Sequence, residues 1–567
     1  MKALLALLLL LLLPVSAAYA IYDPLSVPNN KYGIHIADPQ DISDAAILVN
    51  SNGDWGYVTL VIGENDRNTQ KWQKIFDALR RLHVIPIVRI ATRPEGAAWR
   101  KPGLEDRRDW KSFLSSLNWP VENRYVVIFN EPNHAAEWGN SISPEEYADI
   151  LVTYAKELKE TSEDFFILPA GLDASAPSGP ATMDEETFLR RMVASQPDIL
   201  SLFDGWTSHS YPNPAFSGSP AAAGKGTLRS YEWELDLLSR LGGRRNLPVF
   251  ITETGWRHHD GKTLDFSLLR SEVVSEYIKN AAANAWNDRR IAAVTPFILN
   301  YQDVPFDHFS WRRFGGDGFY PHYFAYRNLP KIIGSPKQRE AYSLIKPFFP
   351  KALVGDSSVT IVGEIVNNGQ AIIDTSYTLG IKDSVGTLAF VADSVPTLEP
   401  GQTGRVVVHL NSPETGGTYT YSLVLGKGDR EYVLETAQVE IIPPPSVVLS
   451  VPLAWRPRAN ATDVKVLVYD QSETVVHEFT GLTLVDGKII VEGLKQIIPN
   501  ETYRVVVLVP GYLPAQSYAQ LLPGMTEVAL SRLLPLDFDG DGKLTIADIP
   551  ALLTARPADV WYRLFGP

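Results

Sequence analysis

The chain of 567 residues is too long for one ordinary domain, and its 45% hydrophobic and 21% charged content is typical of a folded protein with large cores rather than a disordered chain. A net charge of −13 leaves no basic surface to replace counterions on phosphates, so we expect no nucleic-acid partner. The absence of cysteine excludes disulfides, thiolate catalysis and cysteine–zinc sites.

The first twenty residues have the organisation of a secretory signal peptide. The charged start Met1-Lys2 is followed by an apolar run of leucine and alanine and then by the small-residue exit Ala18-Tyr19-Ala20. This pattern predicts a secreted or cell-surface protein with a signal peptide over residues 1–20. A short membrane anchor is the alternative, but the run falls short of the roughly 20 residues that span a bilayer, and no later stretch reaches that length. No membrane span is therefore expected in the mature chain.

Residues 21–350 alternate short apolar runs with amphipathic segments, which predicts a strand followed by a helix, repeated eight times. The predicted strands are Tyr32–Ala37, Tyr57–Gly63, Ile85–Ala91, Tyr125–Glu131, Phe165–Gly171, Phe203–His209, Leu247–Glu253 and Ala293–Asn300. Eight such units indicate a (β/α)8 TIM barrel, whose active site is built at the C-terminal strand ends. An open doubly wound sheet is the alternative, but no glycine-rich phosphate loop follows the first strand.

The clearest helix signal comes after the fourth strand. Ser143-Pro144-Glu145-Glu146 supplies an N-cap, a proline at the first helical position and a capping-box glutamate. The apolar residues that follow fall on one face of the predicted helix; they are Tyr147, Ile150, Leu151, Tyr154 and Leu158.

Two of the predicted strands end on a glutamate. The apolar run 125–129 is typical of a strand covered on both faces, and Pro132 ends it just after Glu131. The run 247–252 leads in the same way to Glu253. Two carboxyl groups at two strand ends are what acid/base and nucleophilic work on one bond requires.

Asn130-Glu131-Pro132, together with the later strand-terminal Glu253, resembles the retaining glycoside hydrolases of clan A, most closely the cellulase-like family 5 enzymes. The resemblance covers residues 31 to about 345. It implies that Glu131, on the fourth strand, is the acid/base and that Glu253, on the seventh, is the nucleophile. His209-Ser210-Tyr211 matches the family's His-x-Tyr, which implies that both side chains line the site and that Tyr211 donates a hydrogen bond to the nucleophile.

A retaining mechanism requires two carboxyl groups about 5–5.5 Å apart, one protonated and one ionised. Mutual repulsion and burial raise the pKa of one carboxyl, while hydroxyl or amide donors keep the other ionised. Tyr211 is expected to be such a donor to Glu253. Asn130 is expected to bond a sugar hydroxyl beside the scissile bond. No cofactor is expected for catalysis.

The sequence departs from the family at two places. The arginine usually found at the end of strand two is missing, since that strand ends Val61-Ile62-Gly63-Glu64, and Arg89 on strand three is the nearest substitute. The tryptophan often found at the end of strand eight is replaced by Leu299-Asn300-Tyr301, so Tyr301 or Trp311 is a candidate sugar platform.

Aromatic residues close after a catalytic strand end are further candidates for stacking on sugar faces. Trp138 follows Glu131 and Trp256 follows Glu253, so both are predicted to bind substrate. Four histidines are predicted to be structural only; they are His35, His258, His259 and His322.

After residue 350 the helical periodicity gives way to short alternating segments separated by turn residues. Residues 351–442 are predicted to form an Ig-like β-sandwich, a proline-rich linker follows over 443–446, and 447–534 form a second β-sandwich module.

Residues 535–567 contain the spacing of an EF-hand calcium loop. The predicted ligands are Asp537, Asp539, Asp541, the carbonyl of Lys543 and Asp548, with Gly542 at the sharp turn and a predicted helix Ile546–Leu553 after them. An aspartate at the last ligand position of a secreted glycosidase resembles the dockerin modules that attach enzymes to cohesin-bearing scaffolds. Dockerins carry two such loops, and one is visible here. We therefore expect a structural Ca²⁺ ion, and a cohesin-type or cell-surface scaffold is the partner that the resemblance implies.

These features predict a secreted multidomain retaining β-glycosidase that hydrolyses O-glycosidic bonds, with a polysaccharide or oligosaccharide as its substrate. The alternative is a non-catalytic surface carbohydrate-binding or adhesive protein with a degenerate barrel. Retention of Glu131 and Glu253 argues against it, and the missing strand-two arginine argues for it.

Overall fold

The computed structural model describes residues 21–565 apart from 245, 385–387, 392–394 and 457. The predicted signal peptide, residues 1–20, lies outside the described residues. The chain divides into two compact units with a boundary between Arg339 and Glu340. Among the described helices, none combines the length and hydropathy needed to cross a bilayer.

The first unit is an α/β structure in which eight main strands alternate with eight α-helices, and a two-stranded hairpin, Pro94–Glu95 with Ala98–Trp99, follows the third strand. Each predicted strand overlaps an observed one, but the eighth, predicted over Ala293–Asn300, lies at Ile291–Val294 and overlaps it at two residues only. The strands are β1 (Gly33–Ile36), β2 (Gly56–Gly63), β3 (Val84–Ala91), β4 (Arg124–Ile128), β5 (Phe165–Pro169), β6 (Trp206–His209), β7 (Val249–Glu253) and β8 (Ile291–Val294). The helices are α1 (Ile42–Asn50), α2 (Thr69–Arg81), α3 (Arg107–Ser116), α4 (Pro144–Thr161), α5 (Glu185–Ser195), α6 (Ser230–Arg240), α7 (Ser271–Ala283) and α8 (Pro321–Arg327).

All eight strands run parallel, in two sheets. One sheet has the order β1-β2-β3-β4-β5 and the other β8-β7-β6. Isolated parallel bridges join the edges of the two sheets, Tyr32 to Val294 on one side and Asp173 to His209 on the other. Because every strand points the same way, all the C-terminal strand ends lie on one side of the unit.

Both faces of these strands are buried, which explains their continuous apolar sequences. One face belongs with the helices to the main core of the unit, which includes Val58 of β2 and Phe76 and Leu79 of α2. The alternate residues form a separate cluster contributed by the strands, including Tyr57, Ile87, Tyr125, Phe166 and Phe250. The strand period of two divides the apolar residues between the two clusters.

Helix α4 begins as the sequence predicts. Ser143 is its N-cap and accepts a hydrogen bond from the amide of Glu146 at 3.3 Å, and Pro144 occupies the first helical position. Every predicted apolar position of the helix is buried, from Tyr147 to Leu158. The apolar face therefore fixes α4 against the sheet directly after the strand that carries Glu131.

The second unit is built from β-sheets. Its strands are β9 (Tyr342–Leu344), β10 (Ala352–Val354), β11 (Ser358–Asn367), β12 (Tyr377–Lys382), β13 (Leu388–Val391), β14 (Thr403–Asn411), β15 (Gly417–Lys427), β16 (Arg430–Ile442), β17 (Ser446–Ser450), β18 (Ala461–Tyr469), β19 (Val475–Leu484), β20 (Lys488–Val491), β21 (Thr502–Leu508), β22 (Ala515–Gln520) and β23 (Met525–Ala529). Their sheet orders are β9-β11-β14, β10-β16-β15-β12-β13, β20-β17-β23 and β19-β18-β21-β22.

These sheets pair around two cores. The first two sheets share one core, which includes Ile361 of β11, Leu379 of β12 and Leu423 of β15. The other two sheets share a second core that includes Leu449 of β17 and Val466 of β18. The three consecutive prolines 443–445 lie between β16 and β17, where the missing amide donors cost no ladder hydrogen bond.

The chain ends in two short helices, α9 (Asp548–Thr554) and α10 (Pro557–Phe565). Helix α9 corresponds to the predicted helix Ile546–Leu553 but begins two residues later. Helix α10 is not predicted by the sequence analysis.

A pair of fully buried carboxyl groups lies behind β6 in the first unit. Glu234 of α6 accepts hydrogen bonds from Trp206 Nε1 at 2.6 Å and from Ser208 Oγ at 2.9 Å. Glu185 of α5 has no hydrogen-bond partner on either carboxyl oxygen. Burial raises the pKa of both carboxyls, and the charge of Glu234 raises that of Glu185 further. At neutral pH the buried pair therefore retains a proton that an unfolded chain would release.

We expect the contribution of this pair to the stability of the first unit to fall as pH rises above about 4.5, because the folded pair then holds more protons than the same two groups do in the unfolded chain. Glu185→Gln removes one titrating group, so the variant should match the wild type near pH 4.5 and be more stable at pH 8, on the order of 1 kcal/mol or more. Calorimetric unfolding temperatures across this range measure the difference.

The matched control is Glu272→Gln, which changes an exposed glutamate in the first turn of α7. A parallel shift of both variants at all pH values would contradict the assignment of the pH dependence to Glu185.

Candidate active site

The C-terminal strand ends of the first unit surround a cavity of about 490 Å³, within the usual range for a small-molecule site. Its polar lining includes His35, Arg89, Asn130, Glu131, His134, Glu137, Asp173, Tyr211 and Glu253. Its aromatic lining includes Trp99, Phe216, Phe297, Tyr301, Phe306 and Phe309. The cavity therefore contains the two strand-end glutamates together with several residues that the sequence analysis did not single out.

Glu131 and Glu253 come together in this cavity. Glu253 is the last residue of β7, and Glu131 follows the end of β4 by three residues. A carboxylate oxygen of each lies within 4.8 Å of the other and of a ring nitrogen of His209. The two carboxyl groups can thus contact the same part of a bound ligand at the same time.

Glu253 is held as a carboxylate. Arg89 Nη1 donates a hydrogen bond to its Oε1, and the hydroxyl of Tyr211 donates to its Oε2 at 3.0 Å. Burial by itself raises the pKa of Glu253, but the positive charges of His209 and Arg89 outweigh that effect and lower its pKa to about 2. Glu253 is consequently ionised throughout the neutral range.

Glu131 has different surroundings. Its Oε1 lies 2.7 Å from Nδ1 of His209, and this is the only side-chain hydrogen bond of Glu131 among the described residues. Burial lowers the pKa of His209, but the charges of Glu253 and Glu131 outweigh it, so the pKa of His209 is raised. The two glutamates therefore lie in one cavity, but the carboxylate of Glu253 has more cationic and hydrogen-bonding partners than that of Glu131.

The backbone around Glu131 is strained. Phe129 and Glu131 have φ angles of +70° and +30°, which non-glycine residues rarely adopt and which cost on the order of 1–3 kcal/mol each. Two backbone hydrogen bonds hold this turn, from the Glu131 amide to the Gly171 carbonyl at 3.1 Å and from the His134 amide to the Glu131 carbonyl at 2.8 Å. The strained turn directs the Glu131 side chain into the cavity.

A chain of polar contacts extends from the nucleophile candidate to a third glutamate. Arg89 Nη1 donates to Asn130 Oδ1 at 2.7 Å, and Asn130 Nδ2 donates to Glu137 Oε2 at 3.2 Å. Burial and the charge of Glu131 raise the pKa of Glu137 to about 7. Arg89 therefore occupies the position next to Glu253 that the missing strand-two arginine would be expected to fill.

His134 and Asp173 form a second pair in the cavity, with His134 Nε2 2.9 Å from Asp173 Oδ2. The hydrogen bond that His134 donates to Asp173 raises the pKa of His134. The sequence analysis missed Glu137, His134 and Asp173. The closeness of Glu137 and His134 to Asn130-Glu131-Pro132 was the available signal for two of them.

Two predicted substrate-binding residues do not reach the cavity. Trp138 and Trp256 are 0% and 3% exposed and belong to the main core of the first unit. Trp138 packs against Phe129 and Tyr147, and Trp256 donates its Nε1 hydrogen to the Gly218 carbonyl. The prediction that they stack on sugars is wrong, because the large apolar rings are more stable in the core than at the cavity wall.

The structure also tests the predictions for Trp311, Tyr301 and His35. Trp311 is buried as well, whereas Tyr301, the second candidate for the missing platform, lines the cavity. Trp99 lines it too, from a short hairpin after β3. His35, expected to be structural only, lies 3.9 Å from Glu253, and burial together with Arg89 lowers its pKa to about 3. It is a neutral imidazole in the cavity.

In the second unit, Asp537, Asp539 and Asp541 bring carboxylate oxygens within 4.8 Å of one another. Gly542 has a φ angle of +76°, the left-handed conformation that the sharp turn of a calcium loop requires.

Two further predicted ligands of this loop are held by internal hydrogen bonds. The amide of Lys543 donates to Asp541 Oδ1 at 2.8 Å. The carboxylate of Asp548 accepts hydrogen bonds from the amides of Phe538 at 2.8 Å and Thr545 at 2.7 Å, and it is not part of the three-carboxylate cluster.

No protein-family model and no curated protein matches this chain. Among solved structures, a family 39 glycoside hydrolase from Bacteroides cellulosilyticus WH2 aligns with a TM-score of 0.38 and 13% identity, over 86% of this chain and 82% of that one. A β-glucuronidase from Bacteroides uniformis aligns with a TM-score of 0.34 and 10% identity, over 83% and 64%. A family 2 glycosyl hydrolase from Bacteroides cellulosilyticus DSM 14838 aligns with a TM-score of 0.29 and 12% identity, over 87% and 61%. At these values the likenesses assign the chain to no family.

Gly171, which follows β5, leaves the space that His209 occupies. A Cβ atom added at Gly171 would lie 2.2 Å from His209 Cδ2, and the His209 side chain is enclosed. Gly171→Ala should therefore move the imidazole away from Glu131 and destabilise the first unit by about 1–3 kcal/mol. Chemical denaturation and a crystal structure of the variant measure the two effects.

Gly179→Ala is the control, since an added Cβ there meets no heavy atom within 4 Å. An unchanged distance between His209 and Glu131 in Gly171→Ala would contradict the packing argument.

Proposed function

We propose that this protein is a secreted retaining β-glycosidase that hydrolyses O-glycosidic bonds in a polysaccharide or oligosaccharide. The observation that carries the proposal is the pairing of Glu131 and Glu253, with carboxylate oxygens within 4.8 Å and unequal charge support, in one cavity. A short separation favours retention, since inverting enzymes keep their carboxyl groups about 6.5–9.5 Å apart.

The fold that we propose for the first unit is a (β/α)8 TIM barrel of the clan A, family 5-like type. Eight parallel strands in sequential order, the bridges that join both sheet edges, and the cavity at the C-terminal strand ends support it. For the second unit we propose two β-sandwich modules, supported by two pairs of sheets that each share a core.

In the proposed mechanism, ionised Glu253 attacks the anomeric carbon while protonated Glu131 gives its proton to the leaving oxygen. The bond to the aglycone breaks and a glycosyl ester on Glu253 forms. Glu131 then takes a proton from water, which attacks the same carbon and releases Glu253. Arg89 and Tyr211 hold Glu253 in position for attack, and His209 holds Glu131.

Asn130 has a positioning task in this scheme. Its amide oxygen accepts from Arg89 and one hydrogen of its amide nitrogen goes to Glu137, so the second hydrogen of that nitrogen is available to a sugar hydroxyl beside the scissile bond. The non-catalytic alternative depended on the missing strand-two arginine. Because Arg89 contacts Glu253 from strand β3 instead, that observation no longer favours the alternative.

Replacing each glutamate should produce opposite azide products from β-glycosides. Glu253→Ala should lose nearly all turnover, and azide entering the vacated space attacks the face opposite the leaving group, which gives the α-glycosyl azide. In Glu131→Ala, azide attacks the glycosyl ester, which gives the β-glycosyl azide. Product anomers are read by nuclear magnetic resonance.

The leaving group provides the internal control. Glu131→Ala should lose about 10²–10⁴-fold on alkyl glycosides but much less on activated aryl glycosides, which need little protonation. Equal losses on both substrates, or the same azide anomer from both variants, would remove the assigned roles.

We further propose that Asp537, Asp539, Asp541 and the Lys543 carbonyl bind a structural Ca²⁺ ion, with Asp548 completing the loop. Three convergent carboxylates and the left-handed Gly542 support this, since Ca²⁺ takes six to eight oxygen ligands in a flexible loop.

The same tail carries the surface that we propose for a cohesin-type or cell-surface scaffold. Helix α9 exposes 55% of Ile549 and 78% of Leu553, and Ile546 and Trp561 are also exposed. Apolar side chains of this kind are typical of a contact surface.

Titration calorimetry of the full chain should detect calcium binding, and Asp537→Ala with Asp541→Ala should abolish it, because only one carboxylate of the cluster remains. Glycosidase turnover should be unchanged, since none of these residues lines the cavity. Asp559→Ala, in helix α10, is the control that should keep the binding heat. Calcium heat that survives the double substitution would refute the site.

A further inference from the structure

A third carboxyl group, Glu137, lines the cavity without a task in the mechanism. It ends a short 3₁₀ turn, Ala135–Glu137, and its Oε2 accepts the hydrogen bond from Asn130. Among the described residues no cationic side chain pairs with Glu137, and its Oε1 makes no hydrogen bond. That oxygen is therefore available to a molecule in the cavity.

The cavity is rich in carboxyl groups. Four carboxyl groups line it, those of Glu131, Glu137, Asp173 and Glu253. The basic side chains that line it are Arg89, His134 and His35, and His209 contacts Glu131 from just behind this lining.

Each of the lining basic groups either already contacts another polar side chain or is uncharged. Arg89 contacts Glu253 and Asn130, His134 contacts Asp173, and His35 is neutral at ordinary pH because its pKa is lowered. An anionic sugar would meet Glu137 with no unpaired cation among the described lining residues to compensate it.

The segment after Glu137 is joined to one that carries an aromatic residue of the cavity lining. The amide of Gly139 donates a hydrogen bond to the Trp99 carbonyl at 3.0 Å, which ties the segment after Glu137 to the hairpin that carries Trp99. Trp99 is half-buried and lines the cavity. An aromatic residue and a hydrogen-bond acceptor in one cavity lining are suited to a sugar ring, whose C–H face is apolar and whose edge carries donor groups.

We propose that Glu137 is a substrate-binding residue that selects by charge: its free oxygen accepts a hydrogen bond from a hydroxyl or ammonium group of the sugar, and its carboxylate excludes uronic acids and other anionic sugars. The proposal rests on the proposed glycosidase function and specifies its substrate as neutral or amino-sugar glycan. A like charge inside a cavity opposes binding more strongly than in water, because the surroundings screen it less.

The test measures binding separately from turnover. Phenyl 1-thio-β-glycosides resist hydrolysis, and matched sets of neutral sugar, 2-amino sugar and uronic acid are titrated by calorimetry at pH 8 in both the gluco and galacto series. We expect the wild type to bind the uronide at least about tenfold more weakly than the neutral sugar of the same series. Glu137→Gln should reduce that penalty to about threefold or less and weaken binding of the amino sugar.

Glu137→Gln keeps the shape of the side chain and its contact with Asn130, so the change in the ratio reports the charge. Glu163→Gln, which removes an exposed glutamate remote from the cavity lining, is the matched control and should leave every ratio unchanged. Equal wild-type affinity for uronide and neutral sugar, an unaltered ratio in Glu137→Gln, or no binding of any of the six compounds would overturn the proposal.

Turnover of the corresponding O-linked aryl glycosides is measured in parallel. The predicted binding order without turnover would support the charge selection and remove the glycosidase proposal. Turnover without the predicted binding order would support the glycosidase proposal and remove the charge selection by Glu137.

Discussion

The buried carboxylate of Glu253 is the constraint around which the first unit is arranged. A charge removed from water is costly unless other charges and hydrogen bonds compensate it. Arg89 from β3, Tyr211 from the loop after β6 and the imidazole of His209 supply this compensation. Since these residues come from different strands, the charge can be stabilised only when the strand ends have assembled in the right order.

The same contacts give the two glutamates different chemical characters. Glu253 has a permanent cation and a hydroxyl donor, whereas Glu131 depends on His209, whose own charge depends on the two carboxylates. The strained backbone at Phe129 and Glu131 is part of this arrangement. A regular continuation of β4 would send the neighbouring side chains of Asn130 and Glu131 to opposite faces, whereas both line the cavity. Backbone contacts with Gly171 and His134 offset that strain.

The aromatic residues of the first unit divide between stability and the cavity. Trp138, Trp256 and Trp311 are buried in the core, where their large apolar surface contributes most to folding. The cavity wall is instead built from residues on loops, including Trp99, Phe216 and Phe306. Function therefore depends on loop segments that are held by the rigid strands and helices beneath them.

The sequence by itself determined the elements whose signals are local. The eight strands, the start of α4 at Ser143 and the glycine turn at Gly542 each follow from a short pattern that favours one backbone conformation. The placement of Glu253 at the end of β7 was predictable for the same reason, whereas Glu131 lies three residues beyond the end of β4 and not on the strand itself. Only the tertiary structure decided which side chains share the cavity. Glu137, Asp173 and His35 enter it, and Trp138 and Trp256 do not, because orientation there depends on packing and charge contacts between residues far apart in the chain.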